Sequence, residues 1–136
     1  MRVIIDTNVI VSGLLNPYGV PAEILRLLLT GELVPIFDSR IISEYQEVLN
    51  RPKFKFNAES VDILIKEIEM IGSLVLPIPL KSSLPDPDDD IFLEAAIADK
   101  ADCIVTGNKS HFPKRLCSGI KVFSPSEFIR FYKQSK

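Results

Sequence analysis

Apolar residues in this chain follow two alternating patterns. Short continuous runs lie at Val3–Ile5, Leu33–Phe37, Ser73–Leu76, Ala101–Val105 and Ile120–Phe123. Between most of them are longer stretches in which apolar residues recur every three or four positions. Unbroken runs suit strands covered on both faces, and the three-to-four spacing suits helices with one buried face. Helices are predicted from Pro21 to Gly31, from Asp38 or Ser39 to about Asn50, from Asn57 to Ile71, from about Asp88 to Lys100, and from Pro125 to about Lys133. Gly31, Pro52 and Gly72 are stop signals, and Ser124-Pro125-Ser126-Glu127 reads as a capping box with proline at the first helical position. Gly13 to Gly19 reads as a loop. Pro35 inside the second run points to an outer strand or a strand end. Together the elements predict one α/β domain over residues 1–136, a three-layer α/β/α sandwich with a central parallel sheet of four to five strands.

Two of these runs end abruptly in polar residues, Asp6-Thr7-Asn8 after the first and Thr106-Gly107-Asn108 after the fourth. In open α/β sheets, ligands bind beyond the carboxyl ends of the strands. Asp6 therefore stands where such a fold places chemistry, although Asp and Asn also serve simply as turn and cap residues. Glu44 falls three after Ile41 and four before Val48, on the inward stripe of its helix. A carboxylate on a buried face is costly unless it is paired or binds a metal. Asp86-Pro87-Asp88-Asp89-Asp90 precedes the most apolar helix. One acid there caps a helix; four exceed that need. Asp90 and Glu94 share a face of that helix with Leu93 and Ile97.

Composition narrows the chemistry. The chain is 46% hydrophobic and 25% charged, an ordinary globular balance, with net charge −2. Nucleic-acid contact would therefore need local patches. Lys109, Lys114 and Arg115 form one, around His111. Arg51-Pro52-Lys53-Phe54-Lys55-Phe56 forms another, in which the phenylalanines either stack bases or tuck into the core. No run is long enough to span a membrane, no signal peptide is recognisable, and the cytoplasm is the default compartment. Two cysteines and one histidine do not supply a closed zinc site.

If Asp6, Glu44 and Asp90 converge, each pair at about 5 Å repels by roughly 3 kcal/mol at an effective dielectric near 20. Such a cluster survives only with raised pKa values or a bound cation. Oxygen ligands without histidine or cysteine select a hard ion, Mg²⁺ or Mn²⁺. Such ions, holding water and a phosphate oxygen, form phosphodiester-cleaving sites.

The order of these motifs resembles the PIN domain, the fold of metal-dependent ribonucleases that includes the VapC-type toxins of toxin–antitoxin pairs. The matching pieces are Ile5-Asp6-Thr7-Asn8-Val9, Ser43-Glu44, Asp86 to Asp90 leading into Phe92-Leu93-Glu94-Ala95-Ala96, Ala101-Asp102, Val105 to Asn108, and His111-Phe112-Pro113. The resemblance implies that Asp6, Glu44 and Asp90 are the catalytic metal-binding acids, with Asp89 the rival to Asp90 and Asp86 a helper. Thr7, Asn8 and Thr106 would support them, and Glu94 could compensate for a missing charge. Asn108 stands where the family commonly has a fourth acid; it offers a carbonyl oxygen without charge, which weakens any second metal position. The resemblance further implies an RNA substrate held by Lys109, Lys114, Arg115, Arg51 and Lys53, a cognate antitoxin and a homodimer. The apolar helices around Leu25–Leu29 and Ile63–Ile71 would supply the protein contacts. The alternatives are a PIN-like module without catalysis and a receiver-like signalling module. A receiver would want an acid pair after the first strand, a phosphorylatable Asp after the third and a Lys after the fifth; here those positions hold Asp6 alone, Pro77-Ile78-Pro79 and Ser124-Pro125.

Overall fold

Val3, Ile4 and Ile5 are all fully buried, as residues of a strand with no solvent-facing side must be. In chain order the computed structural model, which describes residues Met1–Lys136, runs β1 (Arg2–Ile5), α1 (Thr7–Leu15), α2 (Val20–Leu29), β2 (Val34–Phe37), α3 (Ser39–Leu49), α4 (Ala58–Ile71), β3 (Ser73–Leu74), α5 (Asp90–Asp99), β4 (Cys103–Val105), β5 (Val122–Phe123) and α6 (Pro125–Gln134). The five strands form one sheet of order β3-β2-β1-β4-β5, and every pairing is parallel. The order matters. A receiver-like, flavodoxin-type sheet runs 2-1-3-4-5, so the topology excludes that alternative.

Steps from β1 to β2 to β3 move one way across the sheet, and the step to β4 returns. Right-handed crossovers therefore place α1 to α4 on one face and α5 on the other, the three-layer arrangement. α6 folds back on α2, where the Tyr132 hydroxyl donates to Glu32 at 2.9 Å. The reversal falls between β1 and β4, and that is where an open parallel sheet leaves a crevice at its carboxyl edge.

Local signals account for the boundaries. Asp38 caps α3 by accepting the backbone N–H groups of Arg40 and Ile41, Asn57 caps α4 through Ser60, and the Ser124/Glu127 capping box starts α6. Three expectations are corrected. The loop begins only at Asn16, because Gly13 lies inside α1; a Cβ there would come within 2.6 Å of Leu25 Cδ1, so glycine permits close α1–α2 packing. Pro35 lies on an inner strand. Val34 supplies the N–H that reaches Met1, and the missing Pro35 N–H faces β3, whose ladder starts only at Ile36. The acid run forms a separate 3-10 turn, Pro87–Asp89, and the α-helix begins one residue later.

Candidate active site

Asp6 directly follows β1, and its backbone N–H donates to the Val105 carbonyl of β4 at 2.9 Å. The sheet thus fixes its backbone in the crevice. Its carboxylate is buried. It accepts the Thr106 hydroxyl at 2.8 Å and the Asn8 side-chain amide at 3.3 Å. Thr106 Oγ1 in turn accepts the Asn108 N–H at 3.0 Å, which directs the hydroxyl hydrogen at Asp6. Asn8 Oδ1 accepts the Gly107 N–H at 3.0 Å. A Cβ at Gly107 would crowd that oxygen at 3.3 Å, so the Thr-Gly pair lets the two strand ends approach.

Glu44 arrives from α3, half-buried, and accepts a hydrogen bond from the Thr7 hydroxyl. Its neighbour Tyr45 is buried and donates to the Ile5 carbonyl at 2.6 Å. That bond ties α3 to the last residue of β1 and sets where Glu44 stands relative to Asp6.

The third contribution comes from the 3-10 turn before α5. Asp89 Oδ2 lies 3.0 Å from His111 Nδ1. Asp86, Asp89 and His111 each offer a ligand atom within 4.8 Å of the others.

The electrostatics tie these groups together. Burial raises the Asp6 carboxyl above its ordinary range, opposed by the Thr106 hydroxyl and the backbone N–H groups of Asn8 and Thr7. Burial also raises Glu44; Thr7 opposes this, while the charges of Asp6 and Asp88 add to it. Asp89 is pushed up to about 6, first by burial and then by Asp6 and Asp86, with His111 opposing. No lysine or arginine pairs with Asp6, Glu44, Asp86, Asp88 or Asp89. Mutually repelling carboxylates without a cation from the chain fit a divalent ion, because its two positive charges relieve each strained charge.

The structure does not bring every expected residue here. Asp90 accepts the Ser83 hydroxyl at 2.7 Å and the Leu84 N–H at 2.9 Å, so both its oxygens brace the preceding loop. Its chain neighbour Asp89 is the acid of this run that feels the Asp6 charge and that stands with Asp86 and His111. Glu94 binds Arg40 at 2.7 Å and the Leu80 N–H at 3.1 Å, leaving no oxygen directed at the cluster. Asn108 is exposed and contributes only its backbone, to Thr106 and to His111. His111 is the addition that sequence spacing alone did not supply. It sits within the ligand group, which is therefore not purely oxygen.

Among the basic residues, Lys109 pairs with Glu127 at 2.9 Å, whereas Lys114 and Arg115 are exposed and have no acidic partner. Arg51 pairs with Glu47, and Lys53 lies over the Phe54 ring. Phe54 and Phe56 stack on each other at 5.6 Å.

A parallel α/β sheet of order β3-β2-β1-β4-β5, with acids at the carboxyl end of β1 that no lysine or arginine pairs, defines the fold class. A family model described as PIN domain matches residues 2–110, and the chain belongs to the PIN domain family. It is similar to the uncharacterized protein MJ1680 of Methanocaldococcus jannaschii, 28% identical over 145 aligned residues that cover 98% of this chain and 93% of that one. Among solved structures it is similar to a chain in the crystal structure of VapBC2 from Rickettsia felis bound to a DNA fragment from its promoter. The TM-score is 0.59, with 16% identity and coverage of 91% of this chain and 98% of the other. A likeness at that identity concerns the fold.

Proposed function

We propose that this chain is a divalent-metal-dependent endoribonuclease acting as one domain in the cytoplasm, the toxin of a toxin–antitoxin pair. The observation that carries the reading is the Asp86/Asp89/His111 ligand group in the crevice, where Asp89, like Glu44, feels the charge of buried Asp6 and no lysine or arginine pairs with any of these carboxylates. Asp6, Glu44 and Asp89 would hold Mg²⁺ or Mn²⁺, with Asp86 and His111 adjoining. Bound there, such an ion lowers the pKa of water and offsets charge on a phosphate.

The protein's own groups set the geometry. Thr106 and Asn8 hold the Asp6 carboxylate in one orientation, and Thr7 does the same for Glu44. This is the supporting role that hydrogen-bonded neighbours play around metal ligands. His111 Nδ1 orients Asp89 through their 3.0 Å contact. Lys114 and Arg115, unpaired and exposed on the same side of the sequence as His111, supply the positive charge that draws a phosphate chain toward an acidic site.

The antitoxin partner is supported by likeness to VapBC2, a toxin–antitoxin complex. The surface available for it and for a second copy includes Leu14, Leu15, Tyr18 and Leu29 on the α1–α2 side, and Ile63, Met70 and Leu74 around α4, all exposed. Leu25 and Leu28 belong to the core instead. No helix is long and apolar enough to cross a membrane. The test is hydrolysis of single-stranded RNA with Mn²⁺ by the purified protein, with an Asp6→Asn variant alongside. Cleavage that depends on Mn²⁺ and on Asp6 is the expected result; no cleavage, or cleavage undiminished by the substitution, overturns the reading. Calorimetric titration with Mn²⁺ distinguishes a PIN-like module without catalysis, since a dead site takes up no ion.

A further inference from the structure

The largest cavity of the molecule is not the acid cluster. It measures about 640 Å³ and lies between the two 3-10 turns Lys109–His111 and Lys114–Leu116 and the edge strand β5. That volume falls within the range of small-molecule binding sites. Phe112, Val122 and Phe123 form its apolar wall, and Lys109, Lys114 and Lys121 supply its charge. Phe123 is held by ring contact with Phe131 at 4.7 Å. Lys114 and Lys121 have no acidic partner, and Lys121 Nζ lies over the Phe131 ring at 4.9 Å. Lys109 is held at the rim by Glu127. β5 pairs with β4 alone, so its outer edge keeps free backbone donors and acceptors.

One short turn joins this cavity to the acids. Lys109 and Ser110 line the cavity, and the next residue, His111, contacts Asp89. Neighbouring Cα atoms are about 3.8 Å apart. We propose that the cavity is a nucleobase subsite: the base of a nucleotide beside the acid cluster lies against the half-buried Phe123 ring, with buried Phe112 as the floor, and its phosphate meets Lys114 and Lys121. Aromatic faces beside cations are what single-stranded nucleic acid requires. The acid cluster itself repels phosphate, so affinity for the strand has to come from beside it. That the strand is RNA rests on the nuclease reading above.

The test is fluorescence-anisotropy titration of a labelled single-stranded RNA in EDTA and low salt, with Mn²⁺-dependent cleavage measured separately on the wild-type protein. Ser110→Trp obstructs the cavity and Lys121→Glu reverses its charge; circular dichroism melts confirm that each variant is folded. Each is expected to weaken binding about tenfold, the loss of roughly one stacked base. Wild-type-like binding by both folded variants overturns the subsite even if the wild type cleaves RNA. Lost binding by the variants, with no cleavage by the wild type, overturns the nuclease reading and leaves the cavity as a nucleobase-binding site without a cleavage step. No RNA binding by the wild type, or displacement of the RNA by an alternating Glu-Val peptide that adds to the β5 edge, overturns the subsite in favour of a protein occupant.

Discussion

Two groups of carboxylates stand within a few residues of each other and have opposite characters. Asp38, Asp90 and Glu94 are saturated: Asp38 caps α3 and pairs with Arg40, Asp90 braces the 83–84 backbone, and Glu94 binds Arg40 and Leu80. Asp6, Glu44 and Asp89 are also hydrogen-bonded, but burial raises the pKa of each, the Asp6 charge adds to the rise at Glu44 and at Asp89, and no basic side chain other than His111 approaches. The first group lowers the energy of the metal-free fold. The second raises it, since neutral residues in those places would avoid the repulsion. Asp89 and Asp90 are chain neighbours of the same type, and only the turn geometry assigns one to each group. An acid that harms the empty fold is the better candidate for chemistry than one that supports it.

The contrast can be broken most decisively at that junction. Asp6→Asn and Asp89→Asn are each expected to lower RNA hydrolysis by more than about a hundredfold, beyond what loss of a supporting hydrogen bond does, while Asp90→Asn leaves most of the rate. Equal losses for Asp89 and Asp90 in a steady-state cleavage assay would erase the distinction. Thr106→Val, which removes the hydroxyl that orients Asp6, should cost about tenfold in rate and weaken Mn²⁺ binding in calorimetry. In denaturant unfolding of the metal-free protein the order reverses. Asp90→Ala should lose about 1–3 kcal/mol by orphaning the Leu84 N–H, whereas Asp6→Asn should lose nothing or gain.

The smallest effect is a pH slope. The folded pKa of Asp89 is about 6, above its ordinary 3.8, so the folded state binds that proton more tightly than the unfolded chain. Its protonation stabilises the fold below pH 6, and the contribution disappears as pH rises through 6. The melting temperature of the metal-free protein should therefore gain from Asp89 on acidification from 7 toward 5. Saturating Mn²⁺ should flatten or invert that slope, because the ion favours the deprotonated form.

The architecture was legible because few signals had to agree. Val3–Ile5 could only be a central strand, Asp38 and Asn57 announced their helices, and the strand–helix alternation set the layers. The contact of Asp6 with Thr106 and the inward position of Glu44 were legible for the same reason, since strand ends and helical faces are periodic properties. The different surroundings of Asp89 and Asp90 were not. Helical spacing placed Asp90 on an inward face, but the 3-10 turn Pro87–Asp89 shifts the phase just ahead of it. His111 was equally hidden, because the loop carrying it has no period from which to read a direction. Gly13 was misread as loop because its reason for being glycine, the Leu25 side chain, lies on another helix.

The central strand of the sheet is also its first. Val3 pairs with Cys103, and Asp6 waits for Thr106, a hundred residues downstream. Contacts so distant in sequence form late, and on the ribosome they cannot form until β4 has emerged. A nascent or prematurely terminated chain that stops short of β4 carries Asp6 and Glu44 but lacks the strand that fixes Asp6. If the protein attacks RNA, its own message included, the order of its strands delays assembly of the site until synthesis is nearly complete, and unfinished copies stay harmless.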